Sequence, residues 1–338
     1  MQRIYDYNGS ALDITDVDLE HLGYPADAEA VGVALDLYKV NTPEMHGAVG
    51  DGVTDDTTAI QKALNQKGVV TFSSGKTYLV TSVLRIGKDT IVDLNGATIK
   101  TTTGHLLYNF LPTDTDFTGH NGNGNFVVKN GNIVGGNFSL AHGENILLDN
   151  VHFSNCINDH FLEICACKNY IVRNCSFIGM TASTSSIEEY INIDPCMYGA
   201  FPWMPQGSAF YDETVNDGIV IWDCTFKLAE SPNDYGFDAI GTHGNGGVVP
   251  KHKSIYLIGN QINGFTGCGI RANHWDGAYI FGNNIDVSGD GIRVGDVIQS
   301  TNVLIKANVI SASGTAITKA NNSTVFQSAD NDINPTYS

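Results

Sequence analysis

Five side chains stand at equivalent places of a repeating strand and could carry out bond cleavage: Glu163, Asp194, His243, Arg271 and Arg293. They support two chemistries. In an elimination, a cation neutralises a substrate carboxylate, a base removes the proton α to it, and an acid protonates the leaving oxygen. Arg271 or Arg293, His243, and Tyr190 or His274 would fill those roles. In a hydrolysis, two carboxyl groups flank the bond, and Asp194 with Glu163, Glu189 or Asp238 would serve. Asn192, Asn273 and Lys251 fall on or beside the same strands as binding candidates, and Trp203, near Phe201, offers a stacking surface. Two arginines and a histidine suit an anionic substrate better than a neutral one, which inclines the reading towards elimination.

These residues also have plainer roles. Outward arginines on stacked strands pair with acids of the next coil, here Asp276 or Asp296, while His274 and Trp275 can close a turn and Glu188-Glu189 can be a solvated loop. His105, His120, His142, His152 and His160 share no spacing and read as surface or corner residues.

What must position the candidates is a repeat. Segments 91–95, 126–130, 146–150, 170–174, 219–223, 256–260, 279–283 and 304–308 each run a short apolar strand into Asn or Asp, and another apolar residue follows. The steps from Asn260 to Asn283, Asn308 and Asn331 are 23, 25 and 23 residues. A unit that short cannot bury its own apolar side, so it must stack on copies of itself. The expected fold is all-β: a right-handed single-stranded parallel β-helix of about 23–25 residues per coil. The corner asparagines are structural, since Asn tolerates a left-handed backbone and bonds its own main chain. A second strand of each coil aligns by its inward residue as Leu162, Ile191, Ile240, Ile270, Ile292 and Ile317. Alternation then turns the next residue outward in each coil (Glu163, Asn192, Gly241, Arg271, Arg293, Thr318), and two residues further on come Cys165, Asp194, His243, Asn273 and Gly295. The candidates are thereby expected in one exposed column, flanked by insertions at 177–217 and 226–254. An extra coil in the second insertion would displace His243.

Composition agrees with this class. The 338 residues carry 36 acidic and 18 basic side chains, a formal net charge of −18, which argues against a nucleic-acid partner. Only 16% of residues are charged and 37 are Gly, as expected of a turn-rich β protein. No apolar run is long enough to span a bilayer, and the polar start predicts no secretion signal. The seven cysteines lack zinc or disulfide-framework spacing and are expected to pack as small hydrophobes. Lys251, Lys253, Arg271 and Arg293 would form a local basic patch to steer a polyanion to this acidic protein.

Residues 1–41 lack the repeat and read as an attachment or oligomerisation segment with a short helix, leaving 42–338 as the β-helix domain. Met45-His-Gly-Ala-Val-Gly50-Asp-Gly-Val-Thr-Asp-Asp56, followed by a short apolar-faced helix over about 54–66, resembles the opening of pectate-lyase-superfamily β-helices of the phage tailspike and tail depolymerase type. Thr54, Asp55 and Asp56 are placed to cap that helix, and Ile60 and Leu64 to seal the core. The stretch from Tyr24 to Leu35 is also similar to sequences that precede the β-helix in phage tail proteins.

The resemblance implies a depolymerase cleaving a bacterial surface polysaccharide, acidic by the reading above, as a lyase or a glycoside hydrolase. It implies a homotrimer in the virion, in contact with tail or baseplate proteins and acting at the bacterial surface. No cofactor is required, although calcium could bridge acids to a uronate as in relatives. The alternatives are a non-catalytic receptor-binding tail protein with the same groove, and a purely structural tail module.

Overall fold

The computed structural model describes residues 41–334, apart from 112, 115, 158–159, 182–188, 198–209, 230–236 and 243–250. Expectations that fall on residues 1–40, including the N-terminal helix, and on His243, Phe201 and Trp203 lie outside the described residues.

The chain winds into stacked coils with a parallel strand ladder on each of three faces. The first ladder stacks Gly68–Thr71, Thr90–Asp93, Lys168–Arg173, Asp217–Trp222, His252–Ile258, Trp275–Phe281, Thr301–Lys306 and Val325–Gln327, the second of these reaching the third through two longer strands. Those longer strands, Phe126–Val134 and Glu144–Cys156, turn the corner and continue into the second ladder, so the two faces form one sheet. The third ladder is a separate sheet: Leu84–Arg85, His105–Tyr108, Asn137–Ala141, Leu162–Cys165, Glu189–Asp194, Asp238–Gly241, Cys268–Ala272, Asp290–Val294 and Ile317–Lys319. This is the parallel β-helix the repeat predicts.

Inside, identical positions stack from coil to coil. Phe153, Phe177 and Phe226 lie nearly parallel at 5.1 and 5.0 Å, and Ile262, Ile285 and Ile310 continue the column. Asn95, Asn130, Asn150 and Asn174 take the left-handed backbone at corners. Asn260, Asn283, Asn308 and Asn331 form an internal ladder in which each Oδ1 accepts the amide N–H of the preceding coil. All seven cysteines are buried, and none forms a disulfide. Among the described residues no helix is long and apolar enough to cross a membrane.

The helix Thr57–Asn65 closes one end. Ile60 and Leu64 are buried against the first coils, and Gln61 bonds both the N–H and the C=O of Arg85, covering an edge strand that would otherwise be unpaired. The acids divide their work differently from the simple cap expected. Asp55 accepts from the Thr57 N–H, whereas the Asp56 carboxylate makes no bond to the helix and reaches back to the N–H groups of Val49 and Gly50. It fixes the turn that precedes the helix.

Two local features shape the third face. On entering it, two consecutive residues point inward, as in Phe161-Leu162 and Tyr190-Ile191, and strict alternation fails there. The earlier position of each pair runs Phe161, Tyr190, Ala239, Gly269 and Gly291; a Cβ on Gly269 would sit 2.6 Å from Ile285. Outside the solenoid, Tyr108, Phe110, Cys165, Cys196 and Phe210 make a second small core. His142 ties it to the coils, with Nδ1 2.7 Å from the Gly119 carbonyl and Nε2 2.8 Å from that of Phe210.

Candidate functional site

The register of the third ladder is the one read from the repeat. Leu162 pairs with Ile191, Ile191 with Ile240, Ile240 with Ile270, Ile270 with Ile292 and Ile292 with Ile317. Glu163, Asn192, Gly241, Arg271, Arg293 and Thr318 therefore share one outward column. No extra coil intervenes, because Asp238–Gly241 pairs with strands on both sides. Both insertions leave and re-enter the solenoid at the ends of Glu189–Asp194 and Asp238–Gly241.

Much of the column is buried, in contrast to the exposure expected of it: Glu163, Asp194 and Arg271 retain 5%, 2% and 8% of their surface, while Arg293 and Thr318 are half-buried. Mutual contact is one reason. Because two consecutive residues turn inward, the residue before that pair also points outward and forms a second column, His160, Glu189, Asp238, Cys268 and Asp290. Its acids bond the next coil: Asp238 Oδ1 accepts from the Cys268 N–H, and Asp290 Oδ1 from that of Thr315.

The two columns interlock. Arg271 Nη1 lies 3.6 Å from both Glu189 Oε1 and Asp238 Oδ2, and its Nη2 bonds Asp296 at 2.9 Å. Gly241 makes room for this: a Cβ there would stand 2.8 Å from Glu189 Cγ and 3.2 Å from Arg271 Cβ. Burial, with the Glu189 charge added, pushes the Asp238 carboxyl up to about 7 against the opposing pull of Arg271. Glu163 accepts from both the Asn192 amide, at 3.1 and 3.2 Å, and the Cys165 thiol, and His160 Nε2 stands 3.5 Å away. Arg293 is tied to Asp290 at 2.6 Å and to Asp296 at 3.4 Å. Asp296 is thus a partner of both arginines, as expected, while Asp276 instead bonds Thr301 and Asn302.

Beside Asp194, two further imidazoles are buried. Burial pushes His252 down to about 3, with Asp194 opposing, and lowers His274 by the same means. His252 Nδ1 accepts from the Asn216 N–H, and Asn216 also donates to the backbone carbonyl of Asp194.

Several expectations need correction. Tyr190 is inside the solenoid, its ring against Phe161 and Phe265 and its hydroxyl donating to the Lys227 carbonyl, so it cannot reach a substrate. Asn273 spends its amide on the Thr242 carbonyl and the Val297 N–H. Lys251 bonds Thr301, and Lys253 lies between Asp217 and Asp276 on adjacent strands; with both arginines ion-paired, these four residues do not form the basic patch expected of them. His160, read as an ordinary corner residue, sits within the cluster, and Asp290 and His252 were also missed. Counting two residues back from each inward isoleucine or leucine, as well as forward, finds His160 and Asp290. Among the described residues no group of three or more His, Cys, Asp or Glu side chains could hold a metal.

Residues 40–109 match the family model "Rhamnogalacturonase A/epimerase, pectate lyase-like". The plasmin and fibronectin-binding protein A of Streptococcus pneumoniae is 25% identical over 290 residues, 73% of this chain and 40% of that relative. A capsule K30/K69-specific depolymerase of Klebsiella phage K64-1 is 49% identical over 49 residues, 14% of this chain and 6% of the relative. The chain thus spans well under half the length of these curated relatives. Among solved structures, PfbA, a surface adhesin of S. pneumoniae, superposes with a TM-score of 0.73 at 21% identity, covering 87% of this chain and 77% of the adhesin. ORF18 of Geobacillus virus E2 gives 0.57 at 17% identity over 91% and 64% of the two chains, and tailspike protein 3 of bacteriophage CBA120 gives 0.52 at 15% over 85% and 47%. At such identities the likenesses speak for the fold. The chain is a parallel β-helix, of the architecture shared by a phage tailspike and a bacterial surface adhesin, and its residues 40–109 resemble the pectate-lyase-like family.

Proposed function

We propose that the third-ladder cluster is the catalytic centre of a depolymerase that hydrolyses a bacterial surface polysaccharide. One observation carries this reading: Glu189 and Asp238 stand opposite each other on adjacent strands, and Asp238 keeps its proton up to about pH 7. A carboxyl of that kind is the general acid that glycoside cleavage needs, and a second carboxyl beside it is its partner. Asp238 protonates the glycosidic oxygen as Glu189 attacks the anomeric carbon; Asp238 then draws a proton from the water that releases the sugar. Parallel strands ~4.8 Å apart suit the ≈ 5–5.5 Å carboxyl separation of retaining enzymes. Glu163 and Asp194, diagonal neighbours at roughly 7–8 Å, suit the inverting geometry. Elimination at a uronate is disfavoured, because among the described residues both arginines are held by acids. Calcium has no step in this scheme. His243 and Trp203, in loops beside the same strands, remain candidates for substrate contact.

The phage depolymerase and tailspike relatives support a place in a virion tail acting at the bacterial surface, and a homotrimer is part of this proposal. The test is to incubate the protein with capsular polysaccharides and exopolysaccharides, following new reducing ends together with absorbance of unsaturated product. Reducing ends without absorbance are expected, and Asp238→Asn and Glu189→Gln should each lower the rate about 10²-fold or more while the circular dichroism spectrum is kept. Rising absorbance would establish a lyase instead.

A second reading is favoured by the full burial of Glu189 and Asp238 and by the adhesin likeness. Here the ion network braces a non-catalytic carbohydrate-binding or receptor-binding face. Binding without cleavage on every polymer would establish it.

A further inference from the structure

We infer that the third-ladder site takes an uncharged glycan and rejects polyanionic chains. The inference rests on reading this cluster as the carbohydrate site and names the substrate class. Six carboxyl groups, those of Glu163, Glu189, Asp194, Asp238, Asp290 and Asp296, share the face with two guanidinium groups, Arg271 and Arg293. Neither arginine is available to a substrate carboxylate. Arg271 lies among Glu189, Asp238 and Asp296, and Arg293 between Asp290 and Asp296. His252 and His274 are buried, which disfavours their charged forms.

The surroundings add little positive charge: Lys251, which acts on His274, is the one cation near the described part of the site that is bonded to a neutral hydroxyl, that of Thr301. Segments 182–188, 198–209, 230–236 and 243–250, which join the strands of the site to the rest of the solenoid, contain Glu188, Glu230 and Asp234 but no lysine or arginine. Lys253 has an aspartate on each adjacent strand. With a net charge of −18 for the whole chain, a uronate polymer meets repulsion at long range and again at the site. A neutral sugar fits the same groups. Carboxylate oxygens accept hydrogen bonds, the protonated Asp238 carboxyl can donate one, and a hydroxyl-rich ring supplies both donors and acceptors.

The experiment uses pairs of polymers with a common backbone: uronate-containing exopolysaccharides and their carboxyl-reduced counterparts. The full chain is tested for retention by affinity electrophoresis and for cleavage by reducing ends, at low and at physiological salt. The uncharged member of an engaged pair should be retained about tenfold or more better, with little salt dependence, whereas residual retention of the polyanion should rise as salt screens the repulsion. Asp296→Asn, which releases one partner from each arginine, should raise retention of the polyanion. Stronger retention of a uronate polymer that weakens with salt would overturn the inference, and so would failure to retain any uncharged polymer. Preferential retention of neutral chains without any cleavage would sink the hydrolase reading and leave the charge preference standing.

Discussion

At the scale of single residues, Asp238 links stability to pH. Its carboxyl ionises near 4 in an unfolded chain and at about 7 in the fold, so the folded state holds the extra proton between those values. Stability from this group is therefore fully present below pH 4 and is lost as pH rises through 7. Asp238→Asn removes the titration. The drop in melting temperature between pH 5 and pH 8 should shrink in that variant, measured by thermal denaturation at both; an unchanged drop would show that Asp238 does not carry the linkage. If Asp238 is also the general acid, kcat/KM of the parent protein falls above pH 7 as the proton is lost. Gly241 is a second sensitive point. Gly241→Ala places a methyl group against Glu189 and Arg271 and should perturb the cluster with little effect on the coil, since the Gly241 backbone lies within a regular strand.

At the scale of elements, the internal asparagine ladder makes a sharp test. Asn283 accepts from the Asn260 N–H and side-chain amide and donates to the Leu257 carbonyl, all in the interior. Asn283→Ala should cost about 1–3 kcal/mol for each buried group left unpaired, whereas Asn284→Ala, next along the chain and exposed, should stay within ~0.5 kcal/mol. Urea denaturation compares the two. The ladder was legible in the sequence because its 23- and 25-residue steps are a property of spacing alone. The outward column from Glu163 to Thr318 was legible for the same reason: alternation holds from the inward leucine or isoleucine of each strand onward. Tyr190 was misplaced because two consecutive residues turn inward just before that alternation begins, a feature that a period of two cannot show. The burial of Glu189, Asp238 and Arg271 was equally hidden. It depends on an uncharged gap at Gly241 and on partners such as Asp296 that reach in from a neighbouring turn. A pattern reports which way a residue points, and the pattern contains nothing about what will lie on top of it.

At the scale of the whole molecule, the first ladder carries an outward column that is apolar from end to end: Ile91, Val127, Leu147, Ile171, Val220, Tyr256, Tyr279, Leu304 and Phe326. Ile171, Tyr256 and Phe326 are exposed, and Trp222 widens the stripe. At ~4.8 Å per coil it runs about 40 Å, longer than a local ligand site requires and suited to a second rod lying alongside. The occupant that fits is another copy of the chain. A protein of net charge −18 repels its copies everywhere except where the facing surfaces are uncharged, and this column contains no ionisable side chain apart from its two tyrosines. Parallel rods around a common axis would each present the same stripe, which is the arrangement the proposed homotrimer needs. Light scattering of the full chain should then report an oligomer, and Tyr256→Lys combined with Ile171→Lys should convert it to monomer without changing the circular dichroism spectrum, because both side chains point away from the core. Residues 1–40 supply the competing explanation. If deleting them dissolves the oligomer while the double lysine variant leaves it intact, assembly belongs to that segment and the stripe is not the contact.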